Sequence, residues 1–232
     1  MNHTSKIIEI KEETHDTKSI KFERPENFNY KAGQYCVFEH QFGDELIKRS
    51  YSLSSSPTED FLQITVKHIP NGIMSTYLHQ LKIGDSLVFV GPVGNFVFDD
   101  KFKDVVFIAG GSGISPFRAM CKYIFDNNLN DINVIIIYGS RSPEDIIMVN
   151  ELNGYLKDHP NFKLYLTVDH PNETWHFHTG FIDSDFIKEA TQNKVKGKDY
   201  FLVGPPPMMT AIKNALLSLN VEEEQIHLDA WG

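Results

Sequence analysis

Apolar and polar residues change rhythm once along this 232-residue chain. Up to about residue 100 the apolar positions come in short runs, several alternating with polar neighbours, and Pro25, Gly33, Asn71, Gly84 and Asp85 punctuate them. Six runs, 7–10, 19–22, 34–40, 47–53, 61–68 and 86–90, read as strands. Short strands at this spacing imply an antiparallel barrel. One helical pattern interrupts them over 75–81, with Tyr77, Leu78 and Leu81 as its apolar positions. Beyond residue 104 the runs 105–109, 134–138, 162–168 and 200–203 alternate with helical stretches reaching to about 126, from about 143 to 156, and from about 207 to 219. That alternation implies a parallel sheet with helices on both faces. The charged stretch FDDKFKD, 98–104, marks the boundary, so the expected domains are 1–100, an antiparallel β-barrel, and 101–232, a parallel α/β unit.

The stretch VVFIAGGSGISPFRAM, 105–120, organises the second half. An unbroken apolar run reads as a strand buried on both faces. Gly110, Gly111 and Gly113 then allow a sharp turn and close backbone approach, because they carry no Cβ. Pro116 stands where a helix can start, since the first turn needs no N–H from it. Strand, glycine turn and helix start aim N–H groups and a positive dipole end at one spot, which suits a phosphate. The spacing G-G-x-G-x-x-P departs from the dinucleotide pattern G-x-G-x-x-G, and a glycine-rich turn without a ligand is the plainer alternative.

Composition narrows the classes. Hydrophobic residues make up 41% and charged residues 23%, ordinary for a soluble globular chain. No apolar run is long enough to span a bilayer, and the first residues lack a secretory pattern, so the expected location is cytoplasmic. A formal charge of −9 argues against nucleic acid as a partner. Only Cys36 and Cys121 are present, too few for a four-cysteine iron–sulfur cluster.

Four further stretches carry candidate chemistry. In RSYS, Arg49 and Tyr51 share one face of a strand and Ser50 and Ser52 the other; Arg can clamp a phosphate and Tyr can stack on a flat heterocycle. In VKHIPNGIMS, Gly72 precedes a helix whose first turn holds Ser75, either a second phosphate site or a plain N-cap. VGPPPMM, 203–209, is another strand–glycine–helix junction, and HLDAWG, 227–232, brings Asp229 and Trp231 to the chain end. His176 and His178 share a strand-like face, but a zinc site needs three or four ligands, so no metal is expected.

In this order, GQY, RSYS, NGIMS, GPVGNF, AGGSGISP, YGSRSPEDI and GPPPMM resemble the ferredoxin–NADP reductase family of flavoproteins, over nearly the whole chain. The resemblance implies a flavin-binding barrel followed by a Rossmann-like nicotinamide-nucleotide domain, with the active site in the cleft between them. It maps flavin phosphate onto Arg49, ring packing onto Tyr51, and a hydrogen bond near the reactive flavin nitrogen onto Ser52, with Ser50 beside them. The segment from Gly72 through Met74 to Ser75 then serves the FAD pyrophosphate, which favours FAD over FMN, and Val66 and Lys67 are further implied cofactor-binding residues. The resemblance implies NADPH or NADH as the donor, held by Gly110, Gly111, Ser112 and Gly113, by Ser140 and Arg141 at the adenosine ribose, and by Gly204, Pro205 and Met208. Ser52, Asp229 and Trp231 are the implied catalytic residues. This chain departs from the family at Val203, where a Cys is common, at Asp229, usually Glu, and at Gly232, which follows the terminal aromatic. The implied activity passes a hydride from NAD(P)H to bound FAD, then electrons to a separate acceptor such as ferredoxin, flavodoxin or an oxygenase component. A free-flavin or quinone reductase, or a flavin-binding electron-transfer subunit, are the alternative readings.

Overall fold

A computed structural model describes residues 2–229. The first compact unit comprises residues 2–98 with 115–126; the second comprises 99–114 with 127–229.

The first unit is built on β1 (Asn2–Thr14), β2 (Thr17–Glu23), β3 (Tyr35–Phe42), β4 (Glu45–Ser52), β5 (Phe61–Lys67), helix α1 (Ile73–Gln80) and β6 (Ser86–Val93). The strands form one antiparallel sheet in the order β4-β3-β6-β1-β2-β5. A single bridge between Leu53 and Ile64 joins its two outer strands and closes the barrel. Alternation sends Ile20, Phe22, Phe38, Leu62, Ile64, Val66 and Phe89 into one core. Its centre is aromatic, with Phe22 and Phe89 edge to face at 5.3 Å and Phe22 and Phe38 at 5.8 Å.

The second unit carries β7 (Asp104–Gly110), which leads through a 3₁₀ turn, Gly111–Ile114, into α2 (Ser115–Asp126) of the first unit. It continues with β8 (Asn133–Ser140), α3 (Val149–Asp158), β9 (Phe162–Val168), β10 (His178–Thr179), α4 (Ser184–Ala190), β11 (Asp199–Val203), α5 (Pro206–Ser218) and β12 (Ile226–Leu228). The sheet order is β10-β9-β8-β7-β11-β12, every pair parallel. Val106, Ile108, Tyr200 and Leu202 pack with Phe186, Ile187, Ile212 and Leu216 of α4 and α5.

Two helical regions depart from the sequence pattern, and the short β10 and β12 are additions to it. The helix expected from 143 is a 3₁₀ turn, Pro143–Asp145, then a break at Met148, and only then α3. Met148 sits at φ 59° with its side chain buried, so the apolar run Ile146–Met148 anchors a loop rather than a helical turn. Helix α4 follows a stretch the pattern left unassigned; Asp183 caps it by accepting from the N–H groups of Asp185 and Phe186. Among the described residues no helix is long and apolar enough to cross a membrane.

Candidate functional site

In the first unit the candidates gather where β4 ends. Ile47, Arg49, Tyr51 and Leu53 share a face, and Ile47 and Leu53 are buried in the core. Arg49, between them in the alternation, is nevertheless exposed, because β4 pairs with β3 alone until Leu53 reaches across to β5. Its guanidinium donates to its neighbour's carbonyl, Lys48 O, at 2.7 Å and faces outward. Tyr51 packs its ring edge to face on Phe38 at 5.8 Å. Burial pushes its phenol up to about 12, so it stays a neutral hydrogen-bonding group. Ser50 and Ser52 are half-buried on the opposite face.

The VKHIPNGIMS stretch divides its residues between scaffold and surface. Val66 is wholly buried, and its carbonyl accepts from His79 Nε2 at 2.9 Å. Lys67 pairs with Asp16 at 2.7 Å. Partial burial works to raise the Asp16 pKa, but hydrogen bonds from Lys67, Thr17 and Thr14 outweigh it and hold the group at about 2. Met74 is buried in the barrel core, so it offers a ligand only its backbone. Gly72 is the N-cap of α1, with no side-chain cap. Ser75, offered above as a possible N-cap, lies inside the helix; its hydroxyl accepts from Ile69 N–H at 3.1 Å and donates to Gly72 O at 3.2 Å. The N–H groups of the first turn of α1 lack helical acceptors, which leaves them available to an anion.

In the second unit the candidates meet at a topological switch point. The chain builds outward from β7 through β8 and β9 on one side, then returns to β11 on the other, and ligands of such sheets sit at the carboxyl ends beside that reversal. Val203 pairs with Ala109, so Gly204 and Gly110 come next along that edge. A Cβ on Gly110 would stand 2.5 Å from Met208 Sδ and 3.0 Å from Pro205 Cδ, and one on Gly204 would lie 3.2 Å from the Gly110 nitrogen. Gly110, Gly204, Pro205 and Met208 are therefore one close-packed cradle. A Cβ on Gly113 would run into the carbonyl oxygen of Val203, whereas Gly111, at φ +54°, has open space around it. Leu228 pairs with Leu202, so Asp229 follows along the same edge; it is buried, and its N–H donates to Leu202 O at 3.2 Å. Ser112 is half-buried in the turn.

At the end of β8, the Ser140 hydroxyl is buried with no hydrogen-bond partner, while Arg141 beside it is exposed. A buried unpaired hydroxyl next to an outward guanidinium fits a site made to receive a polar ligand. Trp231 lies outside the described residues. His178 stacks on Phe186 of α4 at 3.8 Å.

Two residues escaped the sequence reading. Tyr138, buried one residue before the GSR turn, donates its hydroxyl to Gly111 O at 3.0 Å and accepts from Ile147 N–H at 3.1 Å, tying the glycine turn to the loop after β8. Arg118 of α2 pairs with Glu59, and both side chains are largely buried. Neither carries a local motif, although an Arg set among Phe117, Ala119 and Met120 on a buried helix was the available signal.

Residues 4–98 match the family described as an oxidoreductase FAD-binding domain, and residues 107–214 that described as an oxidoreductase NAD-binding domain. The chain belongs to the ferredoxin–NADP reductase family of FAD- and NAD-binding oxidoreductases. It is 31% identical to the glycine betaine monooxygenase reductase subunit of Chromohalobacter salexigens, over 99% of this chain and 64% of that protein. It is 30% identical to NADH-cytochrome b5 reductase 1 of Kluyveromyces lactis, over 90% of this chain and 77% of that one. The solved cytochrome b5 reductase domain of Ulva prolifera nitrate reductase superposes with a TM-score of 0.88 at 25% identity, covering 99% and 97% of the two chains. The chain thus spans about two thirds, 64%, of the length of the monooxygenase reductase it resembles. The residues present fit both groups: an outward Arg, a neutral Tyr and a helix start suit FAD, and the switch-point cradle with its orphaned hydroxyl suits a dinucleotide.

Proposed function

We propose that the chain is a flavin-dependent NAD(P)H oxidoreductase that delivers electrons to a separate acceptor and works in the cytoplasm. The observation that carries this reading is the presence in one chain of a barrel strand, β4, that carries the exposed Arg49 near its end and a parallel sheet opening at the Gly110–Gly204 cradle. The functional division we propose is a flavin domain over 1–100 and a nucleotide domain over 101–232. When bound, the flavin supplies the chemistry that couples a two-electron donor to a one-electron acceptor. The protein supplies binding and orientation. Arg49 and the N–H groups opening α1 hold phosphate charge, Tyr51 offers a ring face and a neutral phenol, and the Ser52 hydroxyl orients the ring edge. Gly110 to Gly113, Gly204, Pro205 and Met208 admit the nucleotide backbone, and Ser140 and Arg141 hold its adenosine end. Asp229, buried at the sheet's carboxyl edge, stabilises charge or relays a proton at its carboxylate. Similarity to a monooxygenase reductase subunit supports a protein acceptor such as an oxygenase component, ferredoxin or flavodoxin. The test is steady-state reduction of ferricyanide by NADH or NADPH: turnover that requires added FAD supports the reading, and no turnover with either donor overturns it.

A further inference from the structure

We infer that Arg118 is a positioning residue for the flavin site of the first unit, although it lies within the segment matched by the NAD-binding family. The inference rests on the flavin reading proposed above. Arg118 is 6% exposed on α2, and its Nη1 donates to the Ser54 carbonyl at 2.7 Å and to Glu59 Oε2 at 2.8 Å, while Nη2 donates to Glu59 Oε1 at 3.1 Å. Glu59 Oε2 also accepts the Ser56 N–H at 2.7 Å. The chain just beyond Ser52 is thereby fixed from outside the barrel strands.

The same segment is held from within. Ser54 N–H donates to Gln63 O at 2.8 Å, and the Ser54 hydroxyl accepts from Gln63 Nε2 at 3.0 Å and from Thr65 Oγ1 at 3.1 Å. The Ser55 hydroxyl accepts from Tyr30 at 2.9 Å and from Gln63 N–H at 3.0 Å. A buried ion pair adds little net stability over a well-packed apolar pair. A planar, bidentate Arg–carboxylate pair does add fixed geometry, and here that geometry includes the backbone two residues from Ser52. Ser52 itself ends β4, whose pairing there is with Tyr35 of β3. The clamp on Ser54 thus sets where the Ser52 hydroxyl stands, and misplacement by about 1 Å costs on the order of 10²-fold in rate.

The test uses the full FAD-loaded chain and two variants, Arg118→Lys, which keeps the charge and loses the bidentate pair, and Glu59→Gln, which keeps an acceptor oxygen. Three quantities are read: the visible circular dichroism of bound flavin, the limiting rate of flavin bleaching by NADH or NADPH under argon, and the nucleotide dissociation constant. The expected result for Arg118→Lys is retained flavin, an altered dichroism band, a limiting rate about 10- to 100-fold lower and a dissociation constant within about threefold of wild type. Wild-type dichroism and wild-type rate, with only a lower melting temperature, would mean a purely structural clamp and overturn the inference. If Arg118→Lys fails to fold, Glu59→Gln is judged by the same criteria. Should neither nucleotide bleach the wild type, the reductase reading falls, and the dichroism comparison still decides the role of Arg118.

Discussion

Arg49 and Arg118 are both arginines of the flavin unit, and their surroundings assign them opposite tasks. Arg49 is exposed on a face that otherwise points into the core, so it costs little to hold there and is ready for an anion. Truncating it should leave the melting temperature nearly unchanged. Loss of a charge-assisted contact of about 1.5–3 kcal/mol should raise the FAD dissociation constant about 10- to 100-fold, as fluorescence titration of Arg49→Ala would show. Wild-type affinity in that variant would remove Arg49 from the phosphate site. Arg49, Tyr51 and Ser52 were legible in the sequence because a strand's period of two sorts R-x-Y-S into faces. Arg118 was not, because Glu59 and Ser54 lie some sixty positions away in the chain. The glycines of 110–113 were legible as a group but not in their separate reasons. Gly113 is required by the Val203 carbonyl, and Gly111 by a left-handed backbone with open space beside it. Gly113→Ala should therefore cost about 1–3 kcal/mol in urea unfolding, as overpacking against backbone does. Gly111→Asn, a residue that tolerates the left-handed region, should cost less than Gly113→Ala. Equal stability of Gly113→Ala and wild type would refute the close-approach explanation.

Strands buried on both faces declared themselves, and β9 spans the run the pattern gave. The breaks between elements were harder to read. Pro143–Asp145 and α3 looked continuous because no glycine or proline separates them, whereas Ile146, Ile147 and Met148 are buried and Met148 takes a left-handed backbone. The short β10 and β12 exist only through pairing with β9 and β11, which no local pattern announces. At the turn joining β1 and β2, Asp16 pairs with Lys67 at the end of β5 and accepts from the hydroxyls of Thr14 and Thr17. Its folded pKa, about 2, lies below the ordinary 3.8. The stabilisation is therefore complete above the unfolded pKa and disappears as pH falls through about 4 towards 2. Because both side chains keep some contact with water, at 26% and 21% exposure, the pair is worth about 1 kcal/mol. Asp16→Asn should be less stable than wild type by that amount at pH 7 in urea melts, and the gap should narrow steadily below pH 4. A gap that widens in acid would contradict the sign.

At the scale of the molecule, the order of the two halves was legible before any coordinate, because the apolar rhythm changes at 98–104. The assignment of α2 was not. Sequence places it with the nucleotide sheet it follows, whereas it packs in the compact unit of the barrel, and its buried face, from Phe117 to Ile124, looks the same in either setting. The chain spans 64% of the length of the monooxygenase reductase subunit it resembles, and its two cysteines are both buried. On the proposed function, one chain takes reducing equivalents from a nicotinamide nucleotide into a bound flavin. The most direct measurement is the visible spectrum of the FAD-loaded protein under argon, before and after one equivalent of NADH, and of NADPH in a second cuvette. The expected result is a flavin band that bleaches with at least one of the two. A bound flavin that neither nucleotide bleaches would contradict it.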